Sequence, residues 1–278
     1  MAEGPVRTGT GHGPGTDGPE TGAPGFGTRL AWLLDHRGLS ATELAGRAGS
    51  AADEVRAVLA GERPGEASLR RLAPALGLHA VDLFVLAGAT VPDDLAPLDT
   101  AAAQPASRIV MDAVHLPPAG RHELLRFVRS LPQEDRRSRF APEQPAPLAD
   151  GPGGRLIRMF RYRNLNWSGL AHALAVVTPT YLSAPTYGVI GAGGKELTPR
   201  LVTDFAALLG IDARELALLT GVVLPETPQP AAPEAVDAAA LLWEVRRLSA
   251  AQARNVAGLA NSMRAEPRSE YRVNLPGR

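Results

Sequence analysis

Cysteine is absent from the 278 residues of this chain. Its absence excludes disulfides, thiolate metal ligands, iron–sulfur clusters and cysteine nucleophiles. No apolar run approaches the roughly 20 residues that a membrane-spanning helix requires, so no membrane partner is expected. The first residues also lack the apolar segment of a secretory signal, and we therefore expect a cytoplasmic protein.

An excess of charge of either sign is also missing. Lys and Arg together number 29, as do Asp and Glu, so the formal net charge is zero. A compact nucleic-acid-binding protein usually carries a strongly basic balance, and any such site here has to be a local patch. Lys195 is the single lysine beside 28 arginines, and together with abundant Ala, Gly and Pro this bias suggests GC-rich coding and a bacterial source.

The length and the shifts in composition predict two compact domains joined by linkers. Eight Gly and four Pro in residues 1–25, without hydrophobic periodicity, predict a disordered tail. Pro and Ala clusters at Gly88–Ser107, Pro132–Pro152 and Val222–Ala235 indicate linkers. The predicted organisation is a tail (1–25), a first domain (26–88), a linker with a helical pair (89–131), a linker (132–152), a second domain (153–221), a linker (222–236), a second helical pair (237–264) and a tail (265–278).

An internal repeat organises the chain. The aligned blocks are Arg29–Ala45 on Arg155–Ala171, and Leu72–Gly88 on Phe205–Gly221. The offset grows from 126 to 133 residues, so the second copy carries about seven extra residues in its middle. The segments 112–131 and 244–263 each predict two helices separated by a short break near Leu116 or Leu248. The chain is therefore predicted to be all-α and duplicated.

Helix signals divide the first copy into five short helices. Leu30, Leu33 and Leu34 form a helical stripe that ends at Gly38. Ser40, with Glu43 three residues later, predicts a capping box for a second helix at 41–47. A third helix, with Ser50 as its candidate N-cap, extends through residue 59, and the last two span about 66–76 and 81–86.

Small and apolar residues predict how the second and third helices cross. Leu44, Val55 and Val58 are expected in the core. Ala45 stands where a larger side chain would push the helices apart. Gly49 supplies a turn that needs φ > 0.

This pattern resembles the Cro/CI-type, phage-repressor-like helix-turn-helix family, also called the xenobiotic-response-element family. The segments RGLSATELAGRAGSAADEVRAVLAGERP and LRRLAPALGLHAVDLFVLAG carry the resemblance. It covers Thr28–Gly88, with a degenerate copy over Gly153–Gly221. The resemblance implies tandem five-helix helix-turn-helix domains, in which the third helix enters the major groove of double-stranded DNA and the second helix spans the backbone. It also implies a bacterial transcriptional regulator that is associated with the nucleoid when bound to DNA.

Carried over residue by residue, the resemblance defines a DNA-contacting face on the first copy. This face comprises Ser40, Ala41, Ala51, Ala52, Asp53, Arg56, Ala57 and Arg63. Its third-helix positions include three alanines, and only Arg56 among them offers the forked donor that base reading favours. Residues 27–66 hold five basic and six acidic side chains, which gives little attraction for phosphates.

The second copy has the opposite charge balance, because residues 151–200 hold six basic side chains and one acidic side chain, that of Glu196. Phosphate contacts are expected from Arg158 or Arg161 on the first helix, Asn166 and Ser168 at the start of the second, and Lys195 in the exit loop. The matching third helix, 184–190, is predicted to bury Tyr187 and Ile190 and to expose Ala184, Pro185, Thr186 and Gly188, of which Thr186 is a candidate DNA contact.

Alternative interpretations of the second copy are open at this point. Arg155, Arg158 and Arg161 could form one solvated helix face. The β-branched and aromatic stretch 175–191 could be an irregular loop or a small hairpin. Trp167, Tyr181 and Tyr187 are expected to be core or stacking residues.

Enzyme motifs are incomplete throughout the sequence. Gly13, Gly15 and Gly18 match a dinucleotide fingerprint without its strand and helix, and GAGGK at 191–195 lacks the remaining phosphate-loop residues. His122 and Glu123 open a zinc-protease pattern that has no second ligand. No catalytic residue, metal or cofactor is therefore expected, and we expect the protein not to be an enzyme.

Two functions are consistent with these patterns. The first is a DNA-binding transcriptional regulator. The alternative is a helix-turn-helix-derived adaptor that has lost base readout and binds an unknown protein or small-molecule effector. Helices within 108–131 and 237–263 leave a homodimer open.

Overall fold

A computed structural model of the chain describes residues 24–141, 147–225 and 227–265. These residues form fourteen α-helices and two short 3₁₀ turns, and no β-strand occurs among them, so the predicted all-α class is confirmed. Among the helices described, none has the length and apolar character needed to cross a membrane. The predicted tail 1–25 and the tail 265–278 lie almost entirely outside the described residues.

The helices fall into four groups along the chain. A first series of five is α1 (Phe26–Arg37), α2 (Ala41–Ala48), α3 (Ala52–Leu59), α4 (Glu66–Ala75) and α5 (Ala80–Leu86), followed by the pair α6 (Ala103–Ala113) and α7 (Pro118–Ser130). A second series is α8 (Pro152–Arg161), α9 (Trp167–Val177), α10 (Ala184–Gly191), α11 (Pro199–Leu209) and α12 (Ala213–Thr220), followed by the pair α13 (Pro233–Val245) and α14 (Ala250–Ala265).

Three local expectations are corrected. Helix α6 begins inside the expected linker 88–107, because Pro105 lies in its first turn, where a missing N–H costs no helical hydrogen bond. Ser50 does not cap α3, whose N-cap is Ala51, and the Ser50 hydroxyl is buried with no hydrogen-bond partner among the described residues. The alternative of a loop or hairpin at 175–191 is wrong, since α9 extends to Val177 and α10 occupies 184–191.

Three helix ends of the two series fall at aligned positions. Gly38 and Asn164 both adopt φ 59° after the first helix of their series. Asn tolerates this left-handed conformation better than other residues with a Cβ, because its short polar side chain can hydrogen-bond locally. The later breaks are also left-handed in both series, at Gly77 and Gly210 and at Gly88 and Gly221.

The first and third helices of each series approach each other closely. A Cβ at Gly27 would lie 2.2 Å from the Val58 carbonyl oxygen, and a Cβ at Gly153 would lie 2.5 Å from the Ile190 carbonyl oxygen. Real Cβ atoms do not come so close to backbone, so only glycine fits at these two crossings.

The two series pack on each other reciprocally, and so do the helical pairs that follow them. Helix α1 packs on α12 and α5 packs on α8, while α6 packs on α14 and α7 on α13. The two series share one buried hydrophobic cluster, and the helical pairs build a second cluster. Reciprocal pairing of equivalent elements is the arrangement of a two-fold interface, here formed within one chain.

Two equivalent arginines join the series. Arg37 donates through Nε and Nη2 to the Glu215 carboxylate, both at 2.6 Å, and through Nη1 to the Leu76 carbonyl at 2.9 Å. Arg163, at the aligned position, donates to the Asp82 carboxylate and to the Leu209 carbonyl. Asp82 aligns with Glu215, and Leu76 aligns with Leu209. In each series, the arginine at this position therefore donates to a carboxylate of the opposite series and to a carbonyl of its own series.

Arg29 lies between the ends of α5 and α12. Its guanidinium donates to the carbonyls of Leu86 and Leu219, which are aligned residues, and its side chain is buried. Burial, with a contribution from nearby Arg155, lowers the pKa of Arg29 to about 10. The guanidinium is therefore still charged at neutral pH. The buried Nη1 of Arg155 finds no acceptor in the described part of the chain.

Candidate nucleic-acid interface

Helix α3 presents the predicted base-reading face of the first series. Val55 and Val58 are buried, as expected, and fix the helix to the core. Ala51, Asp53 and Arg56 are exposed on the opposite side. Ala52 and Ala57, on the same helix, are half-buried. The face is therefore accessible, but alanine methyl groups make up much of it.

The one long donor of this face is already engaged. Arg56 forms an ion pair with Asp53 one turn earlier, and the two side chains are 56% and 93% exposed. Exposed pairs of this kind contribute at most about 1 kcal/mol. The pair is therefore weak, and another hydrogen-bond acceptor can displace the Asp53 carboxylate from Arg56.

The start of α2 is closed by its own capping box, as the sequence predicts. The Ser40 hydroxyl accepts from the Glu43 backbone N–H at 3.2 Å, and the Ser40 backbone N–H donates to the Glu43 carboxylate at 2.8 Å. The Ser40 hydroxyl also donates to the Glu43 carboxylate at 2.7 Å, and this hydrogen bond, together with that from the Ser40 backbone N–H, lowers the pKa of Glu43, so a negative charge lies at this helix end. Ala41 beside it is half-buried, and Arg63 is exposed in the loop that follows α3.

In the second series, a different residue caps the matching helix. Asn166 accepts from the Gly169 backbone N–H at 2.8 Å and so caps α9, while Ser168 is exposed in the first turn. Lys195 is exposed in the loop between α10 and α11. These three residues lie at the places along the chain that the sequence predicts for phosphate contacts.

Helix α10 is more buried than its sequence predicts, because Pro185 alone is exposed among the four residues expected at the surface, and Ala184 is half-buried. Tyr187 and Ile190 are buried as expected, but Gly188 is buried rather than exposed. The Trp167 ring lies over it, and a Cβ there would lie 2.5 Å from the ring. Thr186 is half-buried, and its hydroxyl is 2.9 Å from the Ser183 hydroxyl. Little of α10 can therefore reach a base edge.

The arginines of α8 do not form the solvated face considered as an alternative. Arg155, Arg158 and Arg161 are each half-buried, and burial lowers the pKa of both Arg155 and Arg161. Arg158 forms an ion pair with Asp150, in which Nη2 and Oδ1 are 3.8 Å apart.

The local positive charge of the second copy is smaller at the surface than its sequence indicates. Arg163 is one of the six basic residues counted there, and its side chain is 1% exposed in the pair with Asp82. Arg200 is 65% exposed and follows Lys195 by five residues, and Glu196 lies between them along the chain. The accessible charge is therefore centred on the loop that follows α10.

Aromatic residues near this surface have mixed environments. Tyr187 is fully buried and Trp167 half-buried, in agreement with a core or stacking role. Tyr181 is 87% exposed in the turn between α9 and α10, so its predicted core or stacking role is wrong. Within the described ranges, no three His, Asp or Glu side chains are grouped so as to hold a metal ion.

The residues that connect the two series were not singled out in the sequence. Arg37 and Arg163 fall at identical positions of the aligned blocks, and this coincidence was the available signal. Their acceptors Asp82 and Glu215 come from the opposite copy, which no local pattern reveals. Comparisons of the chain with protein-family models, with curated proteins and with solved structures find no match.

Proposed function

We propose that the chain is a DNA-binding transcriptional regulator of the Cro/CI type, in which α1–α5 and α8–α12 are tandem helix-turn-helix units. The observation that carries the proposal is the reciprocal pairing of the two series through Arg37 with Glu215 and Arg163 with Asp82. Dimeric helix-turn-helix regulators bind pseudo-palindromic sites because the two-fold axis of the protein coincides with that of the DNA. Here one chain would supply both halves.

The two units would divide the work of binding. Helix α3 carries Arg56, which can fork onto a guanine once Asp53 is displaced. The second unit offers Lys195, Ser168 and Asn166, whose chemistry suits phosphates. We therefore expect one half-site with a base preference and a second half-site that is bound mainly through its backbone, about one helical turn away.

Selection of bound duplexes from random DNA, followed by fluorescence-anisotropy titration at several salt concentrations, tests the proposal. We expect one chain per duplex and a loss of affinity as salt rises, because phosphate contacts release counterions. Lys195→Ala should weaken all sequences equally and lower the salt slope by roughly 1. Arg56→Ala should cost about 1 to 3 kcal/mol at one base position only.

Arg126→Ala provides the matched control, since Arg126 is exposed on α7, outside both series. It should leave affinity and base preference unchanged. Absence of binding at low salt would overturn the proposal. Two chains on each selected duplex would overturn the single-chain arrangement while leaving DNA binding intact.

A second candidate is the adaptor without base readout. It is favoured by the ion pair that occupies Arg56 and by the exposed Tyr181 and Val189 near α10, which suit a protein surface better than a phosphate backbone. Binding at low salt that is lost as salt rises favours the regulator, and a chain that binds no duplex under the same conditions favours the adaptor.

A further inference from the structure

A cleft lies between α6, α14 and the end of α9, and none of the residues that line it belongs to α3 or α10. Its volume is about 590 Å³. Small-molecule sites usually occupy about 300 to 1,000 Å³, so the cleft can hold a compact organic ligand.

Three arginines line this cleft. Arg264 pairs with Asp112 at 3.1 Å, and the Asp112 side chain is 8% exposed. Arg108 and Arg254 are exposed and form no ion pair within the ranges that the structure describes. Asp112 is the only carboxylate among the lining residues, so the wall carries a net positive charge.

The remaining wall of the cleft is mixed, because Gln104, His115 and Asn261 contribute polar groups beside an apolar part that is built from three helices. Met111 of α6, Ala257 of α14 and Val176 of α9 contribute to this apolar part. A positive rim beside an apolar part favours a ligand that has an anionic group on an apolar body. Guanidinium groups bind carboxylate, sulfonate and phosphate oxygens through paired hydrogen bonds.

Two arginines of the corresponding helices on the other side of the internal two-fold relation form ion pairs. There, α7 packs on α13, and Arg121 is buried and donates to Asp237 at 2.6 Å. Arg129 donates to Glu244 at 2.9 Å. Arginines at that interface are therefore neutralised, whereas Arg108 and Arg254 face an open cleft.

We propose that the cleft between α6, α9 and α14 binds a small amphipathic organic anion, with Arg108 and Arg254 holding the anionic group and Val176, Met111 and Ala257 contacting the apolar body. Because Val176 belongs to α9, the bound ligand touches the second series directly. Ligand binding requires no DNA, so this proposal and the proposed regulator function can fail separately.

A fluorescence titration of the full chain with 8-anilinonaphthalene-1-sulfonate tests this site. N-phenyl-1-naphthylamine is the same molecule without its sulfonate, and comparison of the two probes isolates the contribution of the anionic group. We expect saturable binding of the sulfonate at one site per chain, at least about tenfold tighter than binding of the neutral probe.

Two variants address the two halves of the ligand. Arg108→Gln with Arg254→Gln should weaken binding of the sulfonate about tenfold and leave the neutral probe unaffected. Gly258→Leu should abolish binding of both probes by filling the cleft. A Cβ at Gly258 meets no atom within 4 Å, and leucine favours a helix, so this variant should fold.

Arg126→Gln with Arg214→Gln is the matched control, because it removes two exposed arginines elsewhere in the chain. Its affinity for the sulfonate should equal that of the unmodified chain, and melting temperatures establish that all variants are folded. Equal affinities for the two probes would overturn the proposal. So would unchanged sulfonate binding in the Arg108 and Arg254 variant, or in a folded Gly258→Leu variant.

Discussion

The two reciprocal ion pairs occupy equivalent positions in very different surroundings. Arg163 and Asp82 are 1% and 0% exposed, whereas Arg37 and Glu215 are 24% and 17% exposed. Trp243 of α13 contributes to the difference, because its ring lies 5.2 Å from the Arg163 guanidinium and helps to exclude water from that pair. Aligned residues with the same partners can therefore make unequal contributions to stability, since a third element determines how much water reaches each pair.

The residues before α5 and α12 differ in a related way. Asp212 caps α12 by accepting from the backbone N–H groups of Arg214 and Glu215. His79, at the aligned position, makes no capping hydrogen bond and instead stacks on Trp243 at 3.4 Å, with the rings nearly parallel. Arg246 lies 3.7 Å from the same ring. The first series is thus joined to α13 by aromatic stacking at the position where the second series has a cap.

The largest expected effect comes from breaking the buried pair. Arg163→Leu should lower the free energy of unfolding by about 3 to 5 kcal/mol, because it leaves the Asp82 carboxylate buried without the guanidinium that pairs with it. Arg37→Leu should cost only about 1 kcal/mol, since water reaches the Glu215 carboxylate. Urea unfolding of the two variants measures the difference. The double variant Arg163→Leu with Asp82→Leu should recover most of the loss, and equal losses at Arg37 and Arg163 would contradict the role assigned to Trp243.

A smaller effect is expected at the two glycine crossings. Gly27→Ala and Gly153→Ala should each destabilise the chain by roughly 1 to 3 kcal/mol, because the added methyl group overlaps a backbone carbonyl. Gly46→Ala in α2 is the matched control, and it should be neutral or stabilise by up to about 1 kcal/mol, since a Cβ there meets no atom within 4 Å. Thermal melts test all three. A loss at Gly27 without one at Gly153 would show that the two series cross differently.

The remaining effect depends on pH and is expected on the α5 side only. Burial lowers the pKa of His79 to about 4, and the neighbouring charges of Arg163 and Arg246 add to the shift against the opposing effect of Asp82 and Glu244. Unfolded histidine titrates near 6.5, so the unfolded chain binds a proton first as the pH falls. The stability that depends on neutral His79 is complete above about pH 6.5 and is lost progressively towards pH 4.

His79→Phe keeps a ring against Trp243 and removes the titration. The melting temperatures of the unmodified chain and of this variant, followed from pH 8 to pH 4, should keep a constant difference above about 6.5. Below that pH the unmodified chain should lose more stability than the variant. Parallel curves over the whole range would contradict the burial of a neutral His79.

Local signals predicted much of the first series. The capping box of Ser40 and Glu43, the left-handed Gly49 and the buried Leu44 are all found as expected, because caps, turns and helical periodicity depend on residues close along the chain. The boundary of α6 was missed because Pro105 suggests a linker, although proline is compatible with a first helical turn. The burial of Gly188 depends on Trp167, 21 residues earlier, and no local pattern shows it.

The sequence by itself determined the helices, the turns and the alignment of Arg37 with Arg163, because each depends on residue type and on spacing within a few turns. Only the tertiary structure decided that these arginines bind carboxylates of the opposite series and that Arg108 and Arg254 line a common cleft. It also decided that the Arg163–Asp82 pair is buried whereas the Arg37–Glu215 pair is partly exposed. Partners separated by 81 or 178 residues are brought together by packing, and the strength of a charge pair depends on the dielectric that packing creates around it.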